Sequence, residues 1–158
     1  MDDERILQAI AAHLGEPSTF DHDLLTFLHK HGSPLEIWMY MSVLWPKTCE
    51  VDGMVFFTEL GTVDVTPEEI HRLLVRCDHD RSEVEKRVNY VEVAYLFGSR
   101  RGEASDEMDT ALAERLVTIW AARLDAEYPD RAFVVETLLP EETGDEVAIV
   151  VYQRRTRA

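Results

Sequence analysis

From residue 90 onward the spacing of apolar positions changes period twice. Val91, Val93, Tyr95 and Phe97 fall on alternate positions, with Glu92, Ala94 and Leu96 between them, the two-residue period of a strand over 90–97. From 105 the spacing lengthens. Met108, Leu112, Leu116, Ile119, Trp120 and Leu124 recur every three or four residues and predict a helix over 105–128. Ser105 is placed to cap it, Asp106, Glu107 and Asp109 put negative charge in its first turn, and Pro129 stops it. Two apolar runs follow, 132–139 and 147–152. Pro140, Gly144 and Asp145 between them are turn residues, so the runs should pair antiparallel. Val147-Ala-Ile-Val-Val-Tyr152 has no polar side chain on either face, which suits a strand covered on both sides.

The N-terminal half reads as shorter pieces. Ile6, Leu7, Ile10 and Leu14 share one side of a helix over 2–14, ended by Gly15, and Leu24, Leu25 and Leu28 share one side of a second over 21–31, ended by Gly32. Ser33-Pro34-Leu35-Glu36 then gives a cap, a proline at the first helical position and an acid three residues on. The helix that this opens, 34–45, is apolar nearly all round: only Glu36 and Ser42 are polar. Such a helix is expected at the centre of the domain, the other option being that part of it meets another chain. Asp52-Gly53 is a favoured two-residue turn and predicts a hairpin of 48–51 with 54–58. Thr66-Pro67-Glu68-Glu69 opens a helix with Ile70, Leu73, Leu74 and Cys77 inward, and 81–88 predicts one more.

The fold expected is therefore α+β: a small mixed sheet made by a strand, a long helix and an antiparallel hairpin, packed with several short N-terminal helices. A single domain over 1–158 is expected, mostly helical over 1–89 with a hairpin near 48–58, and a β-α-β-β block over 90–154. The crossover is long enough to set the first two strands of the block parallel.

Composition narrows the function classes. The formal net charge is −15, which disfavours nucleic-acid and anionic-membrane binding and allows attraction to a basic protein. Arg outnumbers Lys 13 to 3, a bias that carries no function by itself. No apolar run approaches the roughly 20 residues of a membrane span, and the acidic Met-Asp-Asp-Glu opening is unlike a signal peptide, so a cytoplasmic protein is expected. Cys49 and Cys77 match no redox or metal spacing. His29 and His31 are explained by a helix C-terminus, and Cys77-Asp78-His79-Asp80 lacks a second cluster to complete a metal shell. The run from Asp78 departs from a calcium loop at its sixth and twelfth positions, Glu83 and Asn89. No cofactor and no metal are expected.

One loop suggests chemistry. Gly98, Ser99, Arg100, Arg101 and Gly102 join the predicted strand to the predicted helix, and a glycine-flanked loop before a helix N-terminus can hold an anion on its N–H groups. The run from Tyr95 to Asp109, about fifteen residues, resembles the signature of minimal nucleotidyltransferases. That resemblance implies Gly98 and Ser99 against a triphosphate and Glu107 and Asp109 on a divalent metal. It requires the two carboxylates side by side on a strand, whereas their own sequence spacing writes the first turn of a capped helix.

Two functions are carried forward. The first is a non-catalytic acidic domain acting through protein binding, as partner or inhibitor of a basic protein or as a homo-oligomer, with Trp38, Met41 and Trp45 at the interface. The alternative is a metal-dependent nucleotidyltransferase-like enzyme using the Gly98-Ser99 loop with Glu107 and Asp109.

Overall fold

The computed structural model describes residues 3–15, 24–60, 65–100, 105–144 and 146–155. The chain falls into two compact units, Met1–Met41 and Ser42–Ala158, and is an α+β fold.

The first unit holds α1 (Asp3–His13), α2 (Leu24–His31) and most of α3 (Pro34–Leu44). Gly15, at φ +70°, takes the left-handed conformation that ends α1 at little steric cost. Ala11 and Phe27 are buried. The first residues of the predicted second helix, 21–23, lie outside the described residues.

The second unit contains β1 (Thr48–Val51), β2 (Met54–Phe57), α4 (Pro67–Arg76), α5 (Arg81–Val88), β3 (Val91–Glu92), a 3-10 helix (Ala94–Arg100), α6 (Asp106–Glu127), β4 (Phe133–Leu138), α7 (Pro140–Thr143) and β5 (Ala148–Gln153). The Asp52-Gly53 hairpin forms as its turn residues dictate: both have positive φ, 52° and 75°, and Thr48 pairs with Phe57 through to Val51 with Met54. The second sheet has the order β3-β5-β4. Both outer strands run antiparallel to β5, so β3 and β4 are parallel to each other with β5 inserted between them. The apolar run of β5 takes the central place, with five of its six residues buried.

β2 divides the interior. Its odd residues, Val55 and Phe57, enter a core made with Val91, Val93, Ile149, Val151 and the inner side of α6, where Trp120 meets Phe57 edge-on at 5.1 Å. Its even residues, Met54 and Phe56, enter a second core with Ile70, Leu74, Val84 and Val88 of α4 and α5. Trp120 can be fully buried because its indole N–H donates to the Val43 carbonyl at 2.8 Å. Ser105 Oγ accepts the Met108 N–H at the start of α6, and Thr66 Oγ1 accepts the Glu69 N–H at the start of α4, as their cap positions predict.

The strand expected over 90–97 is cut to two residues. Its last rung is the Val93 N–H donating to the Val147 carbonyl at 2.9 Å. The next hydrogen-bonding position in this register, residue 145, lies outside the described residues, and from Ala94 the chain tightens into the 3-10 helix with the Leu96 N–H on the Val93 carbonyl. The turn expected over 140–145 contains the single helical turn α7, closed by Gly144 at φ +101°.

The two sheets are joined by side chains of α5. The hairpin's ladder uses the even residues of β2, as the Thr58 N–H to Lys47 carbonyl bond shows, which leaves the polar groups of Val55 and Phe57 facing away from β1. Because β3 is so short, the odd residues of β5 beyond Ile149 also lack a strand partner. Glu85, fully buried, and Asn89, 1% exposed, fill both gaps. Glu85 Oε1 accepts the Val55 N–H and Oε2 the Gln153 N–H, each at 2.9 Å. Asn89 Oδ1 accepts the Phe57 N–H at 2.9 Å, and Nδ2 donates to the carbonyls of Val55 at 2.9 Å and Val151 at 3.1 Å. The Arg155 guanidinium closes the Glu85 carboxylate with bonds of 2.6 and 3.0 Å, and Gln153 Nε2 adds one of 2.5 Å.

Candidate protein-binding site

Helix α3 does not lie at the centre of a core. It contains no buried residue: Leu35 and Trp38 are each 75% exposed, and Ile37, Met39, Tyr40 and Met41 are exposed as well. The expectation of central burial is corrected. A helix apolar on every side leaves apolar residues exposed unless neighbours cover the whole circumference, and none of α3 is fully covered.

The local structure explains how this surface is held. Ser33 and Pro34 start α3 where the sequence places them: Ser33 Oγ accepts the Leu35 N–H at 3.3 Å and its carbonyl accepts the Ile37 N–H at 3.1 Å. Helix α2 ends with His29, Lys30 and His31 in its last turn, where positive charge complements the helix dipole. Gly32 donates its N–H to the Leu28 carbonyl at 2.9 Å, and a Cβ at this position would stand 2.5 Å from that oxygen, so the corner admits only glycine without a shift. Between α2 and α3 lies a groove of about 590 Å³ lined by Leu28, Gly32, Ser33, Pro34, Ile37, Trp38 and Met41. None of these side chains carries a charge. The predicted interface residues Trp38 and Met41 therefore line one groove. Trp45, the third, belongs to the second unit, 47% exposed, with the Arg123 guanidinium 5.2 Å from its ring centroid.

A second depression, about 420 Å³, lies on the second unit between α5 and the sheet, lined by Glu83, Lys86, Arg87, Tyr90, Glu136, Leu138 and Val150. Its charges are largely engaged. Arg87 Nε bonds Glu83 at 3.1 Å, Lys86 Nζ stands 4.3 Å over the Tyr152 ring, and the Tyr152 hydroxyl donates to Glu136 at 3.3 Å. Burial, with the Glu92 charge second, pushes the Tyr90 phenol upward, and burial does the same to Tyr152. Both rings therefore stay neutral at ordinary pH.

The loop expected to hold an anion has a different backbone from the one expected. Gly98, Ser99 and Arg100 close the 3-10 helix, whose N–H groups turn toward carbonyls three residues back, and Arg101 and Gly102 lie outside the described residues. Glu107 and Asp109 occupy the first turn of α6 behind the Ser105 cap. Two residues on a helix are roughly 200° apart around its axis, so the carboxylates diverge. Asp109 is half-buried, and burial, reinforced by Asp106, pushes its carboxyl above the usual value. Among the described residues no group of three or more His, Cys, Asp or Glu is placed to hold a metal ion. No described helix is long and apolar enough to cross a membrane.

Comparison of the chain with protein-family models, with curated proteins and with solved structures returns no match.

Proposed function

We propose that this chain is a non-catalytic binding domain that docks a basic protein through the apolar surface of α2 and α3. The observation that carries the reading is the 75% exposure of both Leu35 and Trp38 on a helix with a capped, well-defined start. Leaving large apolar side chains in water forgoes about 25 cal/mol for each Å² left uncovered, a cost that a partner surface removes. Aromatic and Met side chains are enriched where such partners bind, and the uncharged groove between the helices offers a pocket for an apolar anchor. The net charge of −15 supports a basic partner, because a field of that sign speeds the encounter with a positive surface and repels acidic competitors.

The nucleotidyltransferase-like alternative draws no support from Glu107 and Asp109, which diverge on a helix where the chemistry needs them adjacent.

The test is capture from a lysate of the native cell on immobilised protein, with salt titration. A basic protein retained at low salt, released steeply as salt rises and not retained by Leu35→Ser supports the reading. A retained set that is the same for the variant, or insensitive to salt, overturns it.

A further inference from the structure

The backbone directions in the second sheet point to an interaction surface separate from α3. The Arg154 N–H donates to the Ala132 carbonyl at 2.8 Å, beside a register that pairs Phe133 with Gln153 and Leu138 with Ala148. Ala132 therefore turns its polar groups toward β5. Alternation gives Val134, Glu136 and Leu138 the same direction and turns the N–H and C=O of Phe133, Val135 and Thr137 outward. In the sheet order β3-β5-β4 that side of β4 has no strand partner among the described residues. Glu85 and Asn89 satisfy the outer side of β2 and the bare stretch of β5, and β3 is only two residues long, which leaves the outer side of the four-residue β1 as the other edge without a strand partner among the described residues. The one guard on strand β4 is a single charge, Glu136. It runs six residues in unbroken register, without proline, lysine or bulge.

We propose that β4 is a strand-addition edge whose occupant is β4 of a second copy of this chain, paired antiparallel about Val135. The register follows from the residues. Exchange pairs must join outward-facing residues, and centring on Val135 pairs all three: Phe133 with Thr137 of the second copy, Val135 with its counterpart, and Thr137 with Phe133, for about six hydrogen bonds. On the other face it sets Glu136, the only charge on the strand, opposite Val134 of the second copy. Centring on Glu136 would oppose two carboxylates, and centring on Val134 would leave Thr137 without an outward-facing β4 partner. Phe133 and Val135 already pack against the α6 core, so pairing extends that apolar face across the two-fold axis. The result is a six-stranded sheet ordered β3-β5-β4-β4-β5-β3. Because each copy carries −15, and the two Glu136 side chains are diagonal neighbours across the axis, this association strengthens with salt. A basic extended peptide on the same edge would weaken with salt.

Sedimentation velocity on the purified full chain, over a range of concentration and from ~50 to ~500 mM NaCl, tests this. A monomer–dimer equilibrium that shifts to dimer with salt is expected. Thr137→Pro removes one outward N–H per copy and no bond to β5, so it should weaken the dimer by roughly 30-fold while the circular dichroism is kept. Substitution at 134 keeps the test decisive should the proline variant fail to fold: Val134→Lys should tighten the dimer and Val134→Glu loosen it. A chain monomeric at every concentration and salt overturns the proposal. So does a dimer indifferent to both 134 variants, or one abolished by Trp38→Ser but not by changes in β4, which would place self-association on α3.

Discussion

Glu85 on α5 and Asn89 at its C-terminal cap stand one turn apart, and together they do the work of a missing strand. Val55 gives its N–H to Glu85 and its C=O receives Asn89, at 2.9 Å in each case, while the same two side chains reach Gln153 and Val151 of β5. A fully buried carboxylate is costly unless every lone pair is used, and here five donor contacts fall on its two oxygens. The hairpin and the three-stranded sheet are thereby fixed to each other through side chains rather than a shared ladder.

Glu85→Gln follows directly from that geometry. The amide would present its NH2 to donors that need an acceptor and would leave Arg155 without its ionic partner. Because Arg155 keeps 27% of its side chain exposed, the loss falls toward the lower end of the range of about 3–5 kcal/mol that breaking a buried pair costs. Chemical denaturation should show a lower midpoint; an unchanged midpoint would mean that the two sheets are held by apolar packing alone.

The hairpin turn gives a smaller effect of known sign. Gly53 has φ 75°, and although a Cβ there would meet nothing closer than the Arg81 guanidinium at 3.6 Å, the left-handed backbone itself penalises it. Gly53→Ala should cost about 1–2 kcal/mol, read as a lower thermal midpoint. A null result would mean the turn can relax to another type.

Asp109 supplies a pH-dependent prediction. Its folded carboxyl lies above the ordinary 3.8, through burial first and the Asp106 charge second. A raised folded value means that the protonated form is favoured in the native state, so its stabilising contribution is complete below 3.8 and is lost as pH rises through the shifted value. Asp109→Asn should therefore raise the thermal midpoint at neutral pH, and the gap to the wild type should close on acidification toward 3.8. A gap independent of pH would contradict the assignment.

Local chemistry made part of this fold legible. The Asp52-Gly53 hairpin, the Ser105 and Thr66 caps, the helix from Asp106 and the doubly buried β5 each rest on nearby residues, and each is found. The 90–97 strand keeps its alternation only through Val93, beyond which the backbone turns into the 3-10 helix although Tyr95 and Phe97 continue the apolar pattern. Glu85 and Asn89 were invisible because Arg-Ser-Glu-Val-Glu-Lys-Arg-Val looks like a solvated helix, and the partners that bury Glu85 lie 68 and 70 residues downstream at Gln153 and Arg155. For α3 the apolar pattern was clear, but it does not distinguish a helix covered by its own chain from one exposed for another. At the 98–102 loop, residues 98–100 close the 3-10 helix that replaces the end of the expected strand, and the rest lies outside the described residues.

The proposed binding surface can be tested most directly with a basic protein retained in the capture experiment, by titrating it against wild type and Trp38→Ser in parallel. An exposed aromatic anchor at the centre of an interface is worth about 2 kcal/mol or more, so the variant should bind roughly 30-fold more weakly with its thermal midpoint unchanged. Equal affinity for the two proteins would contradict the assignment of α3 as the docking helix.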